Sequence, residues 1–231
     1  MSEPLVQIPL WVDLTAVFVG AVLGALIGFG DHESEPMAAS GVVVLAISTG
    51  LGGGFVRDIL LARVPRALTD SWFLSMVLVG VVVAWLLFSH VRAVHGVLGY
   101  IDALSLGLYG ALGAYAADRA GLSTAGIVMV GAAAGCGGAF LRDLLLNVVP
   151  EVMLPGEFFG LAAALTGAVY AAAIAVVNPG QAFVAAMVAG FSLRTMAIWR
   201  GWSLPRARPF TGLGSRSDES PRDGEGSTSG G

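Results

Sequence analysis

Charge is scarce in this sequence. Only 12% of its residues are Asp, Glu, Lys or Arg, against about 25% in soluble domains, while 56% are hydrophobic and the mean hydropathy is +0.81. A soluble globular domain is excluded, and an integral membrane protein is expected. Lysine is absent, all 12 basic residues being arginine. The net charge of −4 owes much to acidic loops and the C-terminal tail, so no nucleic-acid surface is expected. Cys136 is the single cysteine, which excludes an intramolecular disulfide and any cysteine-built metal site. His32, His90 and His95 fall in or near loops without metal-ligand spacing, and no metal is expected. Met1 to Leu10 holds an acid and no base, unlike a cleavable signal, so the first helix is expected to be kept. No Ser/His/Asp or paired-acid arrangement is supported by its context, and no enzyme is expected.

What the sequence does have is one stretch written twice. Residues 50–65 read GLGGGFVRDILLARVP and residues 135–150 read GCGGAFLRDLLLNVVP. Arg57 falls on Arg142, Asp58 on Asp143 and Pro65 on Pro150 with one constant shift of 85 positions. These glycine runs lack the Gly-Lys-Ser/Thr ending of a phosphate-binding loop and follow no strand. Glycine clusters weaken a helix, so a bend or an unwound break is expected at each.

A membrane-spanning helix needs about 20 mainly apolar residues. Seven segments qualify, at about 10–30, 41–62, 71–89, 99–118, 125–146, 156–177 and 181–200. The fold class expected is all-α and membrane-embedded, with helices 2 and 5 broken at the glycines. Asp102 opens span four as Asp13 opens span one, and Gly113 follows Asp102 as Gly24 follows Asp13. That second correspondence is a shift of 89, so the first half holds extra residues, most simply in its acidic loop (Asp31, His32, Glu33, Glu35). The expected organisation is an N-terminal segment 1–9, a first three-helix repeat 10–95, a second repeat 96–178, a seventh helix 179–204 and a disordered tail 205–231. Three spans per repeat is an odd number, so the second copy enters the membrane inverted. Such an architecture places a site at the interface of the halves.

The candidate path residues are therefore Gly50, Gly52, Gly53 and Gly54 in span two and Gly135, Gly137 and Gly138 in span five. Freed carbonyls at such breaks suit a dehydrated monovalent cation, and close helix crossing is the alternative use of the same glycines. Charges inside spans face protein or a water-filled path. Adjacent helical residues point to different faces, so Arg57 is expected to pair away from Asp58, and Arg142 away from Asp143. The inverted halves then give two clusters flanking the path, Asp13 with Arg57 and Asp102 with Arg142. Ion pairs that only lock the helices are the alternative. Arginines 92, 200, 206 and 208 outnumber arginines 63, 66 and 119, which favours a cytoplasmic C-terminus.

With seven spans, two three-helix repeats and the doubled GGG-x-x-RD motif, the chain resembles the prokaryotic relatives of trimeric intracellular cation (TRIC-type) channels, also known as glycine-transporter-like membrane proteins. The resemblance covers about residues 10–200, with Gly52, Gly53, Gly54, Arg57 and Asp58 on the first family motif and Gly137, Gly138, Arg142 and Asp143 on the second. Ala139 stands where a third glycine is expected. The resemblance implies a homotrimer in the plasma membrane, with a pore in each protomer for monovalent cations, chiefly potassium. It implies spans two and five kinked at their glycines, an outside N-terminus, membrane lipid as the other partner and no cofactor beyond the permeant ion. The alternative function is a small-molecule, glycine-like transporter using the same inverted repeat. The basic Lys-Glu-Val motif by which the animal channels bind phosphoinositides is missing from span two, so that regulation is not carried over.

Overall fold

The structure, a computed structural model, describes residues 9–30, 37–91, 95–154 and 158–202, without the side chains of residues 89–91 and 95. The acidic loop, Arg92, Arg206, Arg208 and the tail lie outside the described residues, as do most of the N-terminal segment and the side chains of His90 and His95. Among the described residues, seven long helices make up the fold: α1 (Leu10–Gly28), α2 (Ala39–Leu60), α3 (Ser71–Val91), α4 (His95–Arg119), α5 (Thr124–Leu145), α6 (Phe159–Ala173) and α7 (Pro179–Arg200). A single helical turn, Arg66–Thr69, follows α2, and a 3-10 turn, Glu151–Met153, occupies the matching place after α5.

Packing repeats with the sequence. In the first half α1 packs on α2 and α3, and α2 on α3; in the second, α4 packs on α5 and α6, and α5 on α6. The halves meet chiefly where α2 crosses α5, and α7 lies against α4 and α6. The first helix of each half is the innermost. In its most apolar window α1 is 61% buried and α4 67%, against 22% for α3 and 28% for α7. Outward-facing Trp72, Leu78, Val82, Trp85 and Leu86 on α3 have no aqueous rationale and fit a lipid-facing surface. Alanine and glycine dominate the enclosed positions, so backbones approach closely, as in membrane bundles.

The two copies of the motif end their helices alike. Ala62 after α2 and Asn147 after α5 both adopt left-handed backbone, with φ of 52° and 55°. The next amide in each copy bonds back to the motif aspartate's carbonyl, Arg63 N to Asp58 O at 2.8 Å and Val148 N to Asp143 O at 3.0 Å. This is the six-to-one closure of a Schellman C-cap, and the proline two residues further on in each copy prevents the helix from resuming. Other ends have conventional caps. Ser123 accepts from Gly126 N at the start of α5, while Asn178, followed by Pro179, accepts from Gln181 N at the start of α7.

Two expectations need correction. Both α2 and α5 are helical without interruption through their glycine runs, so no unwound break is present. Glycine costs a helix backbone entropy, but here each run is clamped by neighbouring helices, and an apolar bundle offers its amides and carbonyls no partner other than the helical one. The sixth segment is also shorter than expected. The span read as 156–177 folds as the 15-residue α6, because Phe158 takes a left-handed backbone (φ 58°) at one end and residues 174–177 form turns at the other.

Candidate functional site

The glycine runs meet each other at the α2–α5 crossing. A Cβ on Gly52 would lie 2.9 Å from the Cα of Gly138 and 3.3 Å from the Gly137 carbonyl, and one on Gly137 would lie 3.2 Å from the Gly52 carbonyl. A Cβ on Gly53 would fall 2.6 Å from the Ala134 carbonyl, and one on Gly138 would strike the Thr49 carbonyl. These contacts exchange under the shift of 85: Thr49 with Gly138 becomes Ala134 with Gly53, and Gly52 with Leu141 becomes Gly137 with Val56. Reciprocal contacts of this kind define a two-fold axis, so the duplicated halves are related by rotation and run inverted. The same symmetry holds inside each half. Gly24 sits against the Leu45 carbonyl and Thr49, and Gly113 against the Val130 carbonyl and Ala134. Gly50 faces Ala21 and Val17 as Gly135 faces Gly110 and Leu106. Gly54 alone in the first run has nothing within 4 Å of its missing side chain.

At the end of the bundle where α1 begins and α2 finishes, Arg57 Nη1 donates to Asp13 Oδ1 at 2.6 Å. Its Nε and Nη2 donate to Asp58 Oδ1 and Oδ2 at 2.8 and 3.2 Å. Arg66 Nη1 donates to Asp13 Oδ2 at 2.7 Å, and the Arg66 amide to Asp58 Oδ2 at 3.1 Å. Two carboxylates thus face two guanidiniums, with Asp13, Arg57 and Asp58 all buried. Arg57 does pair with its neighbour, contrary to expectation. The rule that adjacent residues diverge describes Cβ directions, and a guanidinium on a long stem at a helix end curls round the last turn.

At the opposite end Arg142 Nε donates to Asp143 Oδ1 at 2.9 Å, and Nη1 lies 3.5 Å from Asp102 Oδ1. The Glu151 amide donates to Asp143 Oδ2 at 3.0 Å, as the Arg66 amide does to Asp58. The second cation comes from elsewhere. Arg194 of α7 reaches Asp102 Oδ2 at 3.5 Å and the Glu151 carboxylate, and lies over the Phe159 ring. Both expected pairs therefore form, and the second cluster holds three acids against two arginines among the described residues.

Beside the first cluster a cavity of about 10 Å³, room for one water, is lined by Asp13, Arg57, Asp58, Gly54 and Tyr109 among others. Tyr109 is buried, donates its hydroxyl to the Gly50 carbonyl, and lays its ring on Gly53, with Cδ1 and Cγ 2.7 Å from where a Cβ would stand.

Residues 10–89 and 99–176 match the profile of the family described as Glycine transporter. The chain belongs to that family. Two relatives of this glycine transporter family are a UPF0126 membrane protein of Deinococcus radiodurans, 35% identical over 159 residues, and a UPF0126 inner membrane protein of Escherichia coli, 29% identical over 165. The first alignment covers 68% of this chain and 72% of the relative, the second 71% and 77%. The fold is that of the prokaryotic TRIC channels. One TRIC cation channel structure superposes with a TM-score of 0.73 at 26% identity, over 88% of this chain and 98% of its own. The orthologue from Rhodobacter sphaeroides gives 0.70 at 28%, over 83% and 97%.

Within this member of the glycine transporter family, several site residues escape a reading by motif. Arg66 and Glu151 each follow the motif proline at the shift of 85. Arg194 is a charge inside an apolar helix, which was itself a signal. Tyr109 takes the place of Gly20 under the shift of 89 and shows itself only when the halves are aligned. Thr49, buried at the crossing, has a hydroxyl without a hydrogen-bond partner.

Proposed function

We propose that this protein is a cation channel that prefers potassium, with a path in each protomer running along the α2–α5 crossing from one charged cluster to the other. The observation that carries this reading is the two-fold crossing itself, backbone against backbone, with a buried carboxylate–arginine cluster at either end. It is supported by the likeness to TRIC cation channels across most of the chain. The carbonyls gathered at the crossing stay bonded within their helices, and each keeps a second lone pair through which a monovalent cation is coordinated once the two helices part. Their close packing makes this a closed state. We further propose a homotrimer in the plasma membrane with a cytoplasmic C-terminus and lipid around it. The second reading, a carrier of a small molecule such as glycine, is favoured by the name of the matched family.

The test is purified protein in liposomes, measured in parallel for potassium current and for uptake of labelled glycine. Potassium current that exceeds sodium current, without concentrative glycine uptake, is expected. Saturable glycine uptake with no current would replace the channel reading by the carrier. Mass measurement in mild detergent checks the trimer, and monomers alone would refute it.

A further inference from the structure

We infer that Tyr109 is the plug of this path, shutting it between the first charged cluster and the crossing of the glycine runs; the inference rests on the channel reading above. The cavity beside the first cluster begins at Asp13, Arg57 and Pro65, near the ends of their elements, and reaches Leu51 and Tyr109 in the middle of theirs. The ring therefore stands between that cavity and the crossing of the two glycine runs. It is pressed on Gly53, where a Cβ would already collide with it and with the Ala134 carbonyl.

The plug is present once. Under the internal symmetry Tyr109 occupies the position of Gly20, which has no side chain and rests on the Gly50 Cα and the Thr49 carbonyl. A symmetric bundle has no need of a large aromatic at one of two equivalent places. The hydroxyl adds a latch. It donates to the Gly50 carbonyl, a mid-helix oxygen whose second lone pair is free to accept it. When the ring swings away, the path gains width and the same carbonyl is released as an oxygen ligand for the passing cation. Opening and coordination thus fall at one atom.

The experiment uses full-length protein in potassium-loaded liposomes. Tyr109→Phe keeps the ring and deletes the latch, and its basal flux should rise about fivefold, the factor for one net hydrogen bond. Tyr109→Ala should raise it further. Flux at or below wild type in both variants, with unchanged assembly, overturns the plug. A second measurement does not depend on conduction. In a Cys136→Ser background, Gly54→Cys places a thiol on the cavity wall. Silver ion, a thiol-reactive monovalent cation small enough for a one-water cavity, should reach it only from the first-cluster face when Tyr109 is present, and from both faces with Tyr109→Ala. One-sided labelling in Tyr109→Ala refutes the plug. A wild type that passes no potassium, combined with the two-sided pattern in Tyr109→Ala, refutes the channel and keeps the plug.

Discussion

The two charged ends were built from the same copied segment and have diverged in what closes them. In the first, the residue after the motif proline is Arg66, and it supplies the second cation to Asp13 through its own side chain. In the second, the corresponding residue is Glu151, an acid, and the second cation comes from Arg194 of the seventh helix. The backbone half of the design is unchanged, since each motif aspartate accepts the amide of that residue, at 3.1 and 3.0 Å. What duplication fixed is the capped helix end. What it left adjustable is the source of compensating charge, and only at the second end does that source tie α7 to the repeat.

Substitution at the crossing should have the largest effect and should treat the halves alike. Gly53→Leu and Gly138→Leu drive side chains into the Ala134 and Thr49 carbonyls, and both variants are expected to lose assembly on size-exclusion chromatography. Gly54→Leu, whose Cβ meets nothing within 4 Å, should assemble better than either and carry little potassium. If Gly54→Leu conducts like wild type, the path does not pass the cavity.

Next come the arginines, where the halves should differ. Arg57→Ala leaves two buried carboxylates short of their closest cation and should cost about 3–5 kcal/mol, the range for breaking a buried pair. Arg142→Ala should cost less, because its contact to Asp102 is longer, 3.5 Å against 2.6 Å, and Arg142 is less deeply buried than Arg57. Thermal unfolding in detergent ranks them, and equal losses would erase the distinction drawn between the clusters. Asp13→Asn combined with Arg57→Gln should recover much of the loss.

Arg194→Ala should act on the second half alone. A loss of about 1–3 kcal/mol is expected for a buried partner left unsatisfied, and hydrogen exchange should quicken at the start of α4 and along α7 while α1 and α2 keep their protection. Smallest is the left-handed residue after each motif helix. Ala62→Gly relieves a strain worth about 1 kcal/mol, whereas Asn147→Gly gains less because asparagine tolerates that conformation. A higher melting temperature for the first variant only would show that the two caps differ as their residues do.

The topology was legible because a duplication with an odd number of spans admits one arrangement, and Asp13–Arg57 was legible because buried charge is rare enough to need a partner. Other features lay beyond pattern. Face geometry says nothing of how far an arginine reaches, so the Arg57–Asp58 bond was hidden. Glycine propensity alone predicts a break in α2, and only the neighbours at Thr49, Gly137 and Gly138 explain why the helix holds. Hydropathy runs on through Ile174 to Val177 while the chain is already turning, which concealed the length of α6. Arg194 was visible as a charge, but nothing in the sequence said which cluster it would join.

That shortened sixth helix has a consequence for the surroundings of the protein. At 15 residues it covers about 22 Å, against roughly 31 Å for its counterpart α3 with 21, and the hydrocarbon of a typical bilayer is about 30 Å thick. Leu161, Ala168 and Ala172 on its outward face are exposed, so lipid meets the shortfall directly. Hydrophobic mismatch of this kind is absorbed by thinning of the adjacent leaflets. The chain then sits in a bilayer of unequal depth, fitted along the first repeat and pinched along the second, and short-chain lipids should collect where α6 faces outward.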